Sequence, residues 1–436
     1  MTKHGLLSRV VNVKPGEVAA LLWSFAYFFC LLCSYYILRP LRDEMGILGG
    51  INKLQWVFTG TFLAMLIAVP IFAALAGRLP RRRLLPLVYY FFVLNLLIFF
   101  GLFKSDFATA SVARAFFIWV SVFNLFVVSV FWSFMADLYN NEQARRLFGF
   151  IAAGGSAGAI VGPFLTASLA KPVGVINLLL ISAMLLLLAV VCIHRLSRWA
   201  AENVHASTAE TNNREAAIGG GVLDGVKLVF RSPYLLGICV YIWLYTTLST
   251  FLYFEQAHIV ANAFSESASR ARLFAYMDLA VNTLTVIGQV LLTARIIARF
   301  GMAVTLALIP AAVALGFLVL AAFPVLAVLV VFQVIRRAGN FAVARPAREI
   351  LFTVVAREEK YKSKNFIDTV VYRGGDAVSG WVFTGLSGAG LGLSGIALVA
   401  APLALVWLYT GVALGRKQET LRGVTNARLP VQAPSS

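Results

Sequence analysis

Charge is what this sequence has least of. Only 13% of its 436 residues are charged, against roughly 25% in a soluble domain, and that shortage excludes an ordinary water-exposed globular surface. Histidine is nearly missing, with four residues, of which His4 and His205 fall in polar segments. No H-E-x-x-H, paired histidine cluster or glycine-rich phosphate loop occurs, which argues against an enzyme. The four cysteines, Cys30, Cys33, Cys192 and Cys239, all sit inside apolar runs. The C-x-x-C formed by Cys30 and Cys33 has no second pair to complete a metal site, and small buried thiols account for it. No disulfide, metal or cofactor is expected. Acidic residues are also short, 19 against 37 basic ones, for a net charge of +18. Such an excess would suggest nucleic acid as a partner in a soluble protein. Here Lys and Arg collect in short loops between apolar runs, as membrane topology produces by itself, so no nucleic acid is expected.

What is present in abundance is apolar sequence: 60% of residues are hydrophobic and the mean hydropathy is +0.84. The runs are long enough to cross a bilayer, about 20 residues each. They fall at 17–38, 53–77, 84–103, 112–135, 147–169, 174–193, 234–260, 271–296, 302–321, 324–344, 365–386 and 393–414. Alternation of apolar and polar residues is absent, which leaves helices rather than a closed barrel. The expected fold is an all-α membrane protein of twelve transmembrane helices. The first run, preceded by Lys3, Arg9 and Lys14, reads as an uncleaved first helix. With the N-terminus inside, 26 Lys and Arg lie on the cytoplasmic side and 8 on the other, while Arg336, Arg337 and Arg373 lie within helices. That asymmetry predicts both termini in the cytoplasm, with a bacterial inner membrane as location and the lipid bilayer as surroundings.

Organisation follows from the one long polar stretch. Residues 1–193 form a first six-helix bundle, 194–233 a cytoplasmic linker containing Gly219–Gly221, 234–414 a second bundle, and 415–436 a cytoplasmic tail. Gly154-Gly155-Ser156-Ala157 recurs as Gly374-Gly375-Asp376-Ala377 at an offset of 220, close to half the chain. Parallel six-helix repeats joined by such a linker resemble the major facilitator architecture. The turn Gly77-Arg78-Leu79-Pro80-Arg81-Arg82-Arg83 is similar to a degraded form of that superfamily's loop signature, without its acidic residue. Gly158-x-x-x-Gly162-Pro163 is similar to a glycine motif of its antiporters; small residues let helices approach closely, and tight packing explains them equally well.

Ionisable groups at membrane depth are expensive, so each is a candidate for function. In the eighth run Asp278, Asn282, Thr285 and Gln289 share one helical face. The tenth carries Gln333, Arg337, Asn340 and Arg348 in the same way, with Arg336 one position off. The seventh offers Tyr241, Tyr245, Ser249 and Gln256, with Glu255 beside them. The first carries Ser24, Tyr27, Tyr35, Arg39 and Arg42. Tyrosine beside guanidinium suits an aromatic anion, although interfacial tyrosines look alike. If the first helix continues through Pro40, Arg39 and Asp43 stand at i and i+4 and can pair.

Two stretches resemble a family. Ile37-Leu38-Arg39-Pro40-Leu41-Arg42-Asp43 is similar to the I-L-R-x-x-K-D segment of the ATP/ADP translocases of plastids and obligate intracellular bacteria. Pro346-Ala347-Arg348-Glu349, then Glu358, Lys360, Lys362, Lys364 and Ile367-Asp368, is similar to that family's P-T-K-E … E-x-K-x-K-x-K-x-x-I-D segment. The resemblance implies a nucleotide exchanger, with Arg39 and Arg42 at the substrate and Arg348 and Glu349 at the cytoplasmic end of helix ten. The family's lysines stand here as Arg42 and Asp376, departures that weigh against ATP/ADP exchange itself and leave room for a different anionic or nucleoside-like substrate. The leading expectation is a monomeric secondary transporter that exchanges nucleotides or a related small anionic solute by alternating access, the solute bound by Arg39, Arg42, Arg337, Arg373, Tyr35, Tyr241 and Tyr245. Asp43, Asp278, Asn282, Gln289, Glu255, Arg348, Glu349, Asp368 and Asp376 are the candidates for coupling or gating. The alternative is a proton-coupled exporter of drug-like or cationic solutes, using Asp278, Asp376 or Glu255.

Overall fold

In hydrocarbon every backbone N–H and C=O must be satisfied within its own segment, which leaves helix as the form for long apolar runs. The computed structural model describes residues 13–78, 81–203, 228–355, 359, 363–364 and 366–428. Lys3, Arg9, most of the 194–233 linker, and Glu358, Lys360 and Lys362 lie outside the described residues, as do the side chains of the Gly77–Arg83 turn.

The described helices are α1 Val18–Leu48, α2 Leu54–Arg78, α3 Arg81–Lys104, α4 Thr109–Leu138, α5 Asn141–Leu169 and α6 Leu178–Asn203. There follow α7 Pro233–Ala263, α8 Ser267–Gly288, α9 Ala294–Ala322, α10 Leu326–Gly339, α11 Tyr372–Gly388 and α12 Leu393–Arg428. One continuous apolar stretch, Ser267–Ala322, has 56 residues. At 1.5 Å per residue it would be about 84 Å long, more than twice the roughly 30 Å hydrocarbon core. Gly301 divides it: its φ of 73° and ψ of 179° are open to glycine, and the Glu419 carboxylate accepts from the Met302 N–H at 2.7 Å where the next span begins. Among the described residues ten helices are long and apolar enough to cross a bilayer; dividing Ser267–Ala322 at Gly301 and counting α11 with Ile367–Val371 brings the helices to twelve.

The chain divides into two compact units, Met1–Arg214 with Phe264–Asn282, and Glu215–Ala263 with Thr283–Ser436. In the first, α1 is the central element and packs on α4, α5 and α6. Its contact with α5 is set by glycines spaced one turn apart. A Cβ at Gly154 would stand 2.6 Å from the Phe25 carbonyl oxygen, one at Gly158 would strike the Phe29 carbonyl oxygen, and one at Gly162 would stand 2.7 Å from the Cys33 carbonyl oxygen. The backbones therefore touch, as small residues permit. Overpacking such a contact costs about 1–3 kcal/mol. Gly158→Ala is thus expected to lower the denaturation midpoint in detergent. Gly149→Ala on the same helix, where a Cβ meets open space, should be neutral or stabilising; equal effects would show that the ladder is not tight.

Several polar groups that read as candidates in α1 serve this packing instead. Ser24 shares a hydrogen bond with Tyr139 at 2.9 Å and Tyr27 with Tyr89 at 2.6 Å, and Phe28 stacks on Phe131 at 4.0 Å. All four cysteines are buried free thiols.

In the second unit α7 packs on α11 and α12, and α9 on α12. The α7–α11 contact repeats the glycine device: a Cβ at Gly375 would strike the Thr246 hydroxyl. Three π-helical turns loosen this unit, at Gln289–Thr293 after α8, Asn340–Ala344 after α10 and Ile367–Val371 before α11. The first two are stitched together: Gln289 donates to the Phe341 carbonyl at 3.2 Å and Thr293 to the Ala342 carbonyl at 2.6 Å. These side chains supply donors where the i−4 ladder is broken.

Candidate functional site

The first cluster gathers where α1 runs on through Pro40. The helix does continue, but the expected pairing of Arg39 with Asp43 does not form. Arg39 Nη1 donates to Asp278 Oδ1 at 2.7 Å, with Asp278 only 1% exposed. Asp43 takes both Nε and Nη2 of Arg42 on one oxygen, at 3.1 and 2.7 Å, and the Arg42 guanidinium lies 4.7 Å above the Phe117 ring. A tethered, neutralised cation gains less from an incoming anion, so these two arginines are poorer substrate ligands than free ones. Tyr35 is buried edge-on to Tyr36, with ring centroids 5.0 Å apart.

One neighbouring pair escaped sequence reasoning. Glu44, fully buried, receives Nε and Nη2 of Arg270 at 2.7 Å each, while Arg270 Nη1 donates to the carbonyls of Phe264 and Ser265. The residues are 226 positions apart, and no local pattern signals them. Asn282 donates to the Ala159 carbonyl at 2.6 Å. Asp278, Asn282 and Gln289, expected on one polar stripe, thus engage three different groups.

The second unit holds a different arrangement. Arg336 is 7% exposed, and its guanidinium is met by neutral oxygens: Nη1 donates to Ser249 at 2.6 Å, while Nε and Nη2 donate to Gln333 at 3.3 and 2.9 Å. No carboxylate pairs with it among the described residues. Arg337 beside it is buried too. An aromatic group stands near: Tyr245 lies 6.0 Å from Tyr372 and 5.7 Å from Trp407, by ring centroids. Tyr241 faces away into the bundle, donating to the Leu306 carbonyl at 3.1 Å and packing on Trp407. Arg373 approaches Asp376 at 3.7 Å, and Thr250 donates to Asp376 at 3.2 Å.

Glu255 on α7 is fully buried, and neither carboxyl oxygen has a hydrogen-bond partner among the described residues. At the far end of the α10 run, the two parts of the second family-like stretch meet. Arg348 approaches Asp368 at 3.9 Å, and Lys364 pairs with Glu349. No group of three or more His, Cys, Asp or Glu able to hold a metal occurs among the described residues.

Comparison with known proteins gives a consistent picture. Residues 20–363 match the family model described as Major Facilitator Superfamily. Among solved structures, the nucleoside transporter NupG superposes with a TM-score of 0.63 at 14% identity, covering 94% of this chain and 99% of that one. A mutant of NupG gives 0.57 at 14% identity over 92% and 99%. An auto-inhibited peptide transporter of the POT family gives 0.61 at 12% identity over 96% and 99%. No curated protein matches the sequence.

Proposed function

The chain belongs to the Major Facilitator Superfamily, and from that premise we propose that this multi-pass secondary transporter moves a small organic anion with an aromatic or nucleoside-like part by alternating access. The observation that carries the proposal is Arg336. A guanidinium at membrane depth is costly, and a buried charge without a counter-ion is more so. Its neutral partners, Ser249 and Gln333, position the fork without cancelling its charge, so the missing negative charge is the solute's. Arg337 adds a second cation on the same helix. Tyr245 and Tyr372 supply ring faces for a planar group. Arg39, Arg42 and Arg373 act through their carboxylates, Asp278, Asp43 and Asp376, as exchangeable pairs along the route.

In this reading nucleotides are one candidate class, and nucleosides bearing an acidic group another. The bundles are 1–193 and 234–414, joined by a 194–233 linker and followed by a 415–436 tail; the glycine contacts of α5 on α1 and of α11 on α7, at the 220-residue offset, support their origin as repeats. The protein works as a monomer in a bacterial inner membrane with both termini in the cytoplasm. Arg348, Glu349, Lys364 and Asp368 form the cytoplasmic gate. The test is a thermal-shift screen of the detergent-purified protein against nucleotides, nucleosides, sugar phosphates and carboxylates. A selective ligand at 100 times its Kd should stabilise by about 2.7 kcal/mol. Stabilisation by neutral or cationic compounds alone would remove the anion reading.

One observation favours a second reading, proton-coupled transport. A carboxyl group enclosed with neither oxygen bonded, as in Glu255, is the arrangement a proton carrier requires. Glu255→Gln should then abolish accumulation driven by a pH gradient in proteoliposomes while leaving solute exchange intact. Unchanged accumulation would return Glu255 to a packing role.

A further inference from the structure

Four arginines within the helices meet a carboxylate: Arg39 reaches Asp278 at 2.7 Å, Arg42 Asp43 at 2.7 Å, Arg270 Glu44 at 2.7 Å and Arg373 Asp376 at 3.7 Å. Arg336 meets an amide instead. Gln333 stands three residues before it on α10, and its Oε1 accepts from both Nε and Nη2 of Arg336 at 3.3 and 2.9 Å. Arg42 places the same two nitrogens on one oxygen of Asp43. The amide oxygen thus stands where a carboxylate oxygen stands in that pair. The hold is alike, and the charge is left standing.

Donor chemistry fixes which way that amide faces. A guanidinium has donors and no acceptor, so the Gln333 oxygen turns to it and the Nε2 turns away. Gln333 is 2% exposed, and its Nε2 has no hydrogen-bond partner among the described residues. Unlike the carboxyl oxygens of Glu255, that nitrogen is not sealed from its surroundings. Ser249 is arranged in the same way: its Oγ accepts from Arg336 Nη1 at 2.6 Å, which leaves its own proton to be given elsewhere. The three groups together turn donors outward, a set suited to an acceptor-only group such as a carboxylate or phosphate. A glutamate at 333 would occupy the same space and act in the opposite sense twice. It would neutralise Arg336, and it would put an acceptor where the Nε2 donor stands. We propose that Gln333 is itself a solute ligand and sets the carrier's selectivity for charge, its Nε2 and Arg336 holding one oxyanion between them. The inference rests on the anion reading above and adds a residue to it.

The test uses the full chain in detergent and pairs of compounds that share a planar group and differ in charge. Adenosine monophosphate is set against adenosine, uridine monophosphate against uridine, and benzoate against benzamide, with affinities read from ligand-induced thermal shifts. The parent should favour the anion of at least one pair by roughly 10-fold or more. Gln333→Glu should weaken that anion by roughly 100-fold and leave the neutral member as it was. It should melt no lower than the parent without ligand, since it gains an ion pair with Arg336. Gln333→Leu keeps the charge and removes the donor, so the anion should weaken by roughly 10-fold and the neutral member should not. If Gln333→Glu keeps the parent's preference, or Gln333→Leu binds the anion as the parent does, this inference falls and the anion reading stands. Equal weakening of both members also overturns it, as the sign of a packing role. A parent that favours no anion removes this inference and the anion reading together.

Discussion

Arg336→Met is expected to leave the protein at least as stable in detergent as the parent and to reduce transport of its anionic solute by about 30-fold or more. The two effects have one cause. Replacing a buried ion by an apolar side chain of similar length is often neutral or stabilising, and here no carboxylate among the described residues is orphaned by the change. Removing one member of a buried, hydrogen-bonded charge pair formed with the solute costs about 2–5 kcal/mol, which is roughly 30-fold to several thousand-fold. Arg336→Lys should fall between, keeping the charge and losing the planar fork that spans Ser249 and Gln333. Uptake by proteoliposomes, together with ligand-induced thermal shifts, measures both effects. An Arg336→Met protein with parental uptake would mean that the solute binds elsewhere.

Arg270→Met should do the opposite, and mainly to stability. Glu44 is fully enclosed and accepts two hydrogen bonds from Arg270 at 2.7 Å each. Leaving that carboxylate alone should cost about 3–5 kcal/mol, the range for breaking a buried pair from one side. Adding Glu44→Leu removes the stranded charge as well, so the double variant should regain most of the loss. The double-mutant cycle, run on denaturation midpoints in detergent, isolates the coupling. Strictly additive losses would show that water screens the pair.

The fold is largely legible from sequence because the bilayer imposes a length and a polarity on every span. Ten of the described helices are long and apolar enough to span, and the fused stretch from α8 to α9 divides at Gly301, between the eighth and ninth runs. The glycines of α5 read as a close-packing face, and they are one. The side-chain stripes are less informative, for two physical reasons. A polar residue on a helical face can turn to a neighbouring helix instead of a solute path, as Tyr241 does in bonding to the Leu306 carbonyl and Asn282 to that of Ala159. The 3.6-residue period also holds only while the helix is regular. The π turn at Asn340–Ala344 breaks the count between Arg337 and Arg348, so the face drawn through both has no meaning beyond it. Arg336, one position off that stripe, holds the most exceptional charge in the second unit. Ion pairs between distant segments, Arg39 with Asp278 and Arg270 with Glu44, have no local signature at all.

Each loosened turn in the second unit carries one amino acid more than an unbroken α-helix would use over the same rise. Excising a single residue from Gln289–Thr293 or Asn340–Ala344 would restore regular winding without rotating the helix beyond it. A sequence one residue shorter at either place could therefore keep every flanking side chain on its present bearing. The slack that Gln289 and Thr293 now fasten would be lost.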